Sequence, residues 1–196
     1  MDCPKCRSAE LSEKQLSQSI TVQRCSQCEG NWIPATEYEK WQEKTPQNTA
    51  TPELLQKPLD FEFAPPVGDS KAGLCPECSR YLSRAKVKYR IPFFVERCQE
   101  CEGFWCDKGE WEVLTQLGLS SSIEQFFERQ WQMKMREQEY LANERQTLID
   151  KLGEDLAEKI FALAEQLMNH PNGDYALAFL MRKVMKHTDV QELKDK

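Results

Sequence analysis

Residues 24–32 read RCSQCEGNW, and residues 97–105 read RCQECEGFW. Each nonapeptide follows a Cys-Pro-x-Cys turn: CPKC at 3–6 and CPEC at 75–78. Eight of the nine cysteines therefore fall into two quartets, Cys3, Cys6, Cys25 and Cys28, then Cys75, Cys78, Cys98 and Cys101. Each quartet reads C-x2-C, a gap of 18 or 19 residues, and C-x2-C. That spacing suits tetrahedral zinc held by four thiolates, because a two-residue gap lets both sulfurs of one turn reach an ion about 2.3 Å away. The alternative for a Cys-x-x-Cys pair is a redox dithiol, which leaves the recurrence of two pairs at one spacing unexplained. Two Zn2+ per chain are expected.

Metal would also supply folding energy that these segments lack. Neither cysteine-rich stretch much exceeds about 45 residues, where an apolar core alone rarely suffices. A structural zinc site contributes roughly 10 kcal/mol or more. The formal charge of the 196-residue chain is −6, and each zinc held by four thiolates adds two further negative charges. Such a chain is not drawn to DNA by bulk electrostatics. No apolar run reaches about 18 residues, so no membrane span is expected. The N-terminal MDCPKC carries no apolar signal core, and reduced thiolates in a cytoplasmic setting are the expectation.

Four segments follow. Residues 1–44 form the first module. Residues 45–72, with prolines at 46, 52, 58, 65 and 66, read as an extended Pro-rich linker; in a sharper reading Leu54, Leu55, Phe61 and Phe63 dock on a neighbour. Residues 73–118 repeat the first module, matching Arg24 with Arg97, Glu29 with Glu102, Gly30 with Gly103, Trp32 with Trp105 and Glu37 with Glu110. Each copy should close with a short helix, capped by Thr36 in the first and by Asp107 with Glu110 in the second.

Residues 121–190 change character. Apolar positions 149, 152, 156, 160, 163 and 167 step by 3, 4, 4, 3 and 4, a helical stripe. Pro171-Asn172-Gly173 predicts a turn and a return helix from about 174 to 187, with Gly153 a kink point in the long arm. The expected fold class is a small metal-stabilised β structure, two zinc ribbons, plus an α-helical C-terminal hairpin with coiled-coil character.

At these residues the chain resembles the transcription factor IIB-type zinc ribbon found in small bacterial proteins. The pattern is C-P-x-C, then C-x-x-C-x-G-x-W, with D-x-G-E following at Asp107, Gly109 and Glu110. The first copy departs from it, with Pro34 and Thr36 in place of the Asp and Gly. The resemblance implies three-stranded antiparallel ribbons with zinc between two cysteine-bearing turns. It implies little about substrate and does not extend to the tail.

Several side chains stand out beyond the ligands. Four thiolates close the zinc shell, which argues for structural rather than catalytic metal. Gly30 and Gly103 are expected to permit positive φ after the second turn. Trp32 and Trp105 should seal small cores. Cys106, opposite Ile33 in the repeat, reads as a small buried hydrophobe. Arg84, Lys86, Lys88 and Arg90 alternate along a strand and would form a basic ridge for nucleic acid or an acidic partner. Ile123, Phe127, Trp131 and Met135 lie on the long arm beyond the reach of the return helix; either the ribbons or the linker pack on them, or they read as a partner seam. His170 and His187 read as surface or capping residues.

No nucleophile–base set or phosphate loop emerges, so the expected activity is non-enzymatic: a zinc-binding adaptor for protein–protein interaction or complex assembly, with a homodimer through the tail as one outcome. Nucleic-acid binding through the ridge is the second reading, and thiol-redox or zinc handling the third.

Overall fold

Six short strands form one antiparallel sheet. In the computed structural model, which describes residues 1–7, 9–16 and 19–192 with side chains of the last helix described to Met185, they are β1 (Leu11–Gln15), β2 (Thr21–Cys25), β3 (Asn31–Ile33), β4 (Ser83–Val87), β5 (Phe93–Arg97) and β6 (Phe104–Cys106). Their order is β1-β2-β3-β6-β5-β4. Each sequence repeat supplies three consecutive strands of this sheet, the number that the family resemblance implies for a ribbon. The two ribbons are not separate bodies, however: they join edge to edge through β3 and β6, where Trp32 pairs with Trp105, flanked by Asn31 with Cys106 and Ile33 with Phe104. Equivalent residues meet across a local two-fold, so the duplication closes on itself and each ribbon covers the other's β3 or β6 edge.

Helices α1 (Ala35–Gln42) and α2 (Glu110–Leu117) follow the third strand of each ribbon. Neither starts as the cap residues predict. Pro34, not Thr36, precedes α1. Gly109, at φ 84°, precedes α2, a left-handed conformation that glycine adopts without a Cβ penalty. Glu110 does reach back, accepting from Asp107 N–H at 2.6 Å, which is the second arm of a capping box.

The Pro-rich segment is a strap rather than a free spacer. Leu55 and Ala50 are buried, and Leu54, Leu59 and Phe63 pack partly buried against the main core. Phe63 meets Phe93 edge-on at 5.3 Å. Of the four apolar side chains expected to dock, only Phe61 stays exposed. Short 3-10 turns at Pro52–Gln56 and Val67–Ser70 bend the strap.

The expected partner seam is also covered. Residues Ser120–Phe127 form a 3-10 segment, broken at Ser122, instead of the first turns of a long helix. That turns Ile123 and Phe126 fully into the core shared with Tyr38, Trp41, Trp111 and Phe104. Trp131 and Met135 are buried on the same cluster, and Phe127 packs partly buried against it. The apolar stripe read as an interface is thus the ribbon unit's own lid.

The chain divides into two units, Met1–Arg136 and Glu137–Lys196. In the second, the helical arm breaks where expected. The helix α3 (Arg129–Leu152) ends at Gly153, whose φ of 79° and ψ of 157° lie outside helical space. Helices α4 (Glu154–Met168) and α5 (Gly173–Glu192) follow. Arg145 returns from α3 to pair with Glu158 at 2.8 Å and to lie over the Phe161 ring at 3.8 Å. Three helices, not a two-helix hairpin, make the tail. None of the helices among the described residues is long and apolar enough to cross a membrane.

Candidate metal centres

Each Cys-x-x-Cys pair sits in a knuckle whose backbone is set by the residue after the second cysteine. Arg7, Glu29, Ser79 and Glu102 all adopt φ between 59° and 61°. Positive φ at four non-glycine residues is unusual, and its recurrence at the same place in all four turns marks one shared geometry. It curls the chain so that Arg7, Glu29 and Ser79 donate N–H to the carbonyl of the first cysteine in their own turns, at 2.9, 3.1 and 2.9 Å. The glycines expected to supply that conformation, Gly30 and Gly103, do not have positive φ.

The same curl aims amides at sulfur. Cys6 N–H donates to Cys3 Sγ at 3.3 Å, Gln27 and Cys28 to Cys25 Sγ at 3.4 and 3.5 Å, Glu77 to Cys75 Sγ at 3.4 Å, and Cys101 to Cys98 Sγ at 3.3 Å. Amide donors of this kind stabilise thiolate.

The sulfurs of Cys3, Cys6, Cys25 and Cys28 all lie within 4.8 Å of one another, and so do those of Cys75, Cys78, Cys98 and Cys101. Cys3 and Cys28 are 3.5 Å apart, Cys6 and Cys25 4.0 Å, and Cys78 and Cys98 3.5 Å. Ligands about 2.3 Å from a tetrahedral zinc are about 3.8 Å from each other, so the clusters have the size of the ion. They are too wide for disulfides, which need about 2.05 Å, and all nine cysteines are free.

Electrostatics agrees. Burial, then Cys28 and Cys25, pushes the Cys6 thiol up to about 11, and burial pushes Cys75 up to about 11. Cys28 is raised by its bond to Cys3 and Cys101 by burial, while the Arg80 amide lowers Cys78. Thiols crowded this way do not ionise together without a cation between them. Both four-cysteine clusters fit zinc. Bound there, the ion would be fully ligated by protein and would serve as a structural cross-link, with no coordination position left for a substrate.

The two centres share one core. Cys3, Cys25, Cys75 and Cys98 cluster with Trp32, Trp105, Ala9 and Leu82. The indoles are exchanged: a Cβ on Gly103 would stand 2.4 Å from Trp32 Cζ2, and one on Gly30 2.3 Å from Trp105 Cζ2. Each glycine is there to receive the other ribbon's tryptophan, which explains the repeated G-x-W better than turn geometry does. Trp32 Nε1 then donates to Glu77, between Cys75 and Cys78, at 2.9 Å. The repeated Arg and Glu of each R-C-x-x-C-E also pair, Arg24 with Glu29 and Arg97 with Glu102, both at 3.5 Å.

Lys5, the variable residue of the first Cys-Pro-x-Cys turn, completes the exchange, and nothing in the sequence signals its role. Its side chain is buried, donating to Glu96 Oε1 at 2.8 Å, Lys71 O at 2.6 Å and Gly68 O at 3.2 Å, with Asp107 Oδ2 at 3.6 Å. It reaches from the first knuckle into a buried polar cluster of the second ribbon. There Asp107 accepts from Trp105 Nε1 at 2.7 Å, and Asp69 accepts from Phe94 N–H at 3.0 Å. Burial, reinforced by Asp107 and Asp69, pushes Glu110 well above the usual carboxylate range. Burial also raises Glu96, against the pull of Lys5. Asp107 thus helps anchor the join between ribbons through Lys5, while Glu110 keeps its bond from Asp107 N–H at the start of α2.

The basic ridge is dismantled. Arg84 turns inward, its Nε 3.1 Å from Glu96 Oε1, its guanidinium bonded to Asp69 O and 3.9 Å over the Phe94 ring. Lys88 donates to Met135 O at 3.0 Å. Lys86 and Arg90 remain exposed. Cys106 is fully buried, and burial raises its thiol well above the ordinary value; it packs as a small hydrophobe. His170 accepts from Asn172 N–H at 3.1 Å in the α4–α5 turn. The side chain of His187 lies outside the described residues.

Residues 2–44 match the TFIIB-type zinc-ribbon family, described as a transcription factor zinc-finger. The match falls on the first copy, the one lacking the D-x-G-E turn. No curated protein and no solved structure matches the chain. Its first module is thus similar to a TFIIB-type zinc ribbon, in a structure with two four-cysteine clusters, each able to coordinate zinc, and C-terminal helices.

Proposed function

We propose that the chain is a non-catalytic, zinc-dependent adaptor: Cys3, Cys6, Cys25, Cys28, Cys75, Cys78, Cys98 and Cys101 hold two zinc ions that rigidify the ribbon unit, and the helical tail docks on protein. The observation that carries this reading is a contrast in burial. The ribbon unit gathers most of its large apolar side chains into a buried core, including Ile123, Trp131 and Met135 of the expected seam, with Phe127 partly buried against it. On α4 and α5, by contrast, Leu156, Ile160, Leu163, Leu177, Leu180 and Met181 are exposed. Large apolar side chains left at a surface in register mark an interface.

Nucleic-acid binding has less support, because Arg84 and Lys88 are engaged by the protein and the formal charge is −6. Thiol-redox chemistry needs a reactive thiolate beside its partner, whereas these thiols sit in closed quartets. Affinity capture tests the reading. The full zinc-loaded chain should retain protein and no nucleic acid, and a chain ended after Arg136 should lose it. Retention by the shortened chain, or equal capture by metal-stripped protein, would overturn it.

A further inference from the structure

We propose that Asp69, Asp107 and Glu110 form a third metal site, which takes a hard divalent cation of the Mg2+ and Mn2+ class and ties the strap to the second ribbon. The site lies wholly inside the ribbon unit, so it stands or falls apart from the docking role of the tail. Asp69 comes from the 3-10 turn Val67–Ser70 of the strap, and Asp107 and Glu110 come from the turn that leads into α2. All three residues are buried, and their carboxylate oxygens lie within 4.8 Å of one another. Oxygen ligands stand about 2.0–2.6 Å from a hard divalent ion, so two on one ion are at most about 4–5 Å apart. The three carboxylates have the spread of one coordination shell.

Two observations beyond the clustering point to a cation. The first is a buried oxygen without a donor. Asp107 N–H holds Glu110 Oε2 at 2.6 Å, but Glu110 Oε1 is buried and accepts no hydrogen bond among the described residues. Asp107 Oδ2 is likewise buried without a hydrogen bond there, with Lys5 Nζ standing off at 3.6 Å. Carboxylate oxygens left this way are costly unless a positive charge sits against them. The second observation is the charge balance. Four buried carboxylates, those of Asp69, Glu96, Asp107 and Glu110, face the cations of Lys5 and Arg84, an excess of two negative charges. Both cations gather at Glu96 Oε1, Lys5 Nζ at 2.8 Å and Arg84 Nε at 3.1 Å. Their distances to Asp107 and Asp69, 3.6 and 3.8 Å, exceed hydrogen-bond length. One divalent ion would restore the balance where those two side chains do not reach. Burial, then Asp107 and Asp69, raises the Glu110 carboxyl, the response of an acid short of counter-charge.

The donor set selects the ion. Carboxylates suit Mg2+, Mn2+ and Ca2+, whereas the thiolate quartets suit zinc. Ca2+ takes six to eight oxygens, more than three carboxylates supply when one Glu110 oxygen is held by an amide. The six-fold shell of Mg2+ or Mn2+, completed by water, fits a set this small. Asp69, with 8% of its side chain exposed, is the least enclosed of the three. The first repeat has no counterpart. There Pro34 stands in place of Asp107, and Glu37 pairs with Lys40 at 2.7 Å. The D-x-G-E turn of the second copy thereby gains a role that its place at the head of α2 does not explain.

Titration with Mn2+, followed by electron paramagnetic resonance, reads the outcome, because the signal of the free ion is lost on binding. The sample is the full chain loaded with two zinc ions and freed of excess metal; Mn2+ does not displace zinc from thiolates. One Mn2+ per chain should bind with a Kd below about 100 µM, and Mg2+ should compete for it. Glu110→Gln and Asp69→Asn should each weaken binding by at least about 10-fold. Glu39→Gln, at an exposed position of α1, should leave it unchanged. Mn2+ at about 100 times Kd should raise the Tm of the parent chain by roughly 5 °C or more and leave that of Glu110→Gln in place. The advantage that Glu110→Gln has without Mn2+, from removing an unpaired buried charge, should therefore shrink when the ion is added. Zinc content and near-ultraviolet circular dichroism establish that each variant is folded; should Glu110→Gln fail to hold zinc, Asp69→Asn carries the comparison. A free-ion signal that the protein does not diminish overturns the proposal, and protons then balance the cluster. Binding that persists in the folded variants, or that releases zinc, overturns it as well.

Discussion

Replacing Gly103 by alanine tests how the two ribbons are joined. Gly103 does not have positive φ. At such a position Gly→Ala ordinarily stabilises by about 0.4–1 kcal/mol, by restricting the unfolded chain. Here the new methyl would stand 2.4 Å from Trp32 Cζ2, 2.8 Å from Cη2 and 2.9 Å from Ile33 O. Carbon contacts relax to about 3.5–4.0 Å, so the indole or the strand must withdraw by roughly 1 Å. Trp32 is fully buried and cannot swing into solvent. Overpacking of this kind costs about 1–3 kcal/mol. Stretching the 2.9 Å Trp32–Glu77 bond adds about 1.5–3 kcal/mol, since its acceptor is charged. The expected net loss is about 2–5 kcal/mol. For a unit of this size that lowers Tm by roughly 10 °C or more. Thermal unfolding at saturating zinc, followed by tryptophan fluorescence, measures it. A chromophoric chelator should also draw zinc from both centres faster, since Trp32 belongs to the ribbon that Gly103 does not. Trp32→Leu makes room for the methyl, so Gly103→Ala should cost less in that background. An unchanged or raised Tm, or strict additivity with Trp32→Leu, would refute reciprocal packing.

Three further outcomes follow from the polar join and the surface. Lys5→Met should cost about 3–5 kcal/mol, because it leaves the fully buried Glu96 without its 2.8 Å partner; denaturant unfolding at saturating zinc reads this. Glu110→Gln should stabilise the zinc-loaded protein by about 1–3 kcal/mol at pH 8. A carboxyl whose folded pKa is raised destabilises the fold once pH exceeds its unfolded value, fully so above the folded one. The gain should therefore shrink as pH falls through the window above the ordinary carboxylate range, and stability of the parent chain should rise over that window. Lys86→Glu with Arg90→Glu should change Tm by less than about 0.5 kcal/mol equivalent, and neither parent nor variant should give a salt-sensitive shift with DNA or RNA.

The sequence carried local geometry well and long-range packing poorly. Knuckle spacing locates both four-cysteine clusters, because ligands two apart in a turn are a local constraint. The helical period of 149–167 and the breaks at Gly153 and Pro171-Asn172-Gly173 are local too. The join of the ribbons is not: β3 and β6 are three residues each, and nothing within either strand says which edge it meets. The duplicated G-x-W holds the clue, since a large side chain and a missing one repeat together, but it reads equally well as turn chemistry. Lys5 looks like a filler position in CPKC until its partners arrive from the strap and β5. Ile123 and Trp131 mislead for a related reason. Continuing the helical period back to 121 exposes them, and the 3-10 segment that buries them has no strong signature of its own.

Reconstitution with zinc, followed by native mass spectrometry, tests the central claim that both ribbons form one metal-dependent unit. Because Lys5, Trp32 and Trp105 each complete the other ribbon, the metal-stripped chain given one equivalent should show mainly the empty and two-zinc species. Its near-ultraviolet circular dichroism should rise in proportion to the two-zinc form. A dominant one-zinc species with half the tryptophan signal would contradict the account, as would a metal-free chain whose ribbons are already ordered.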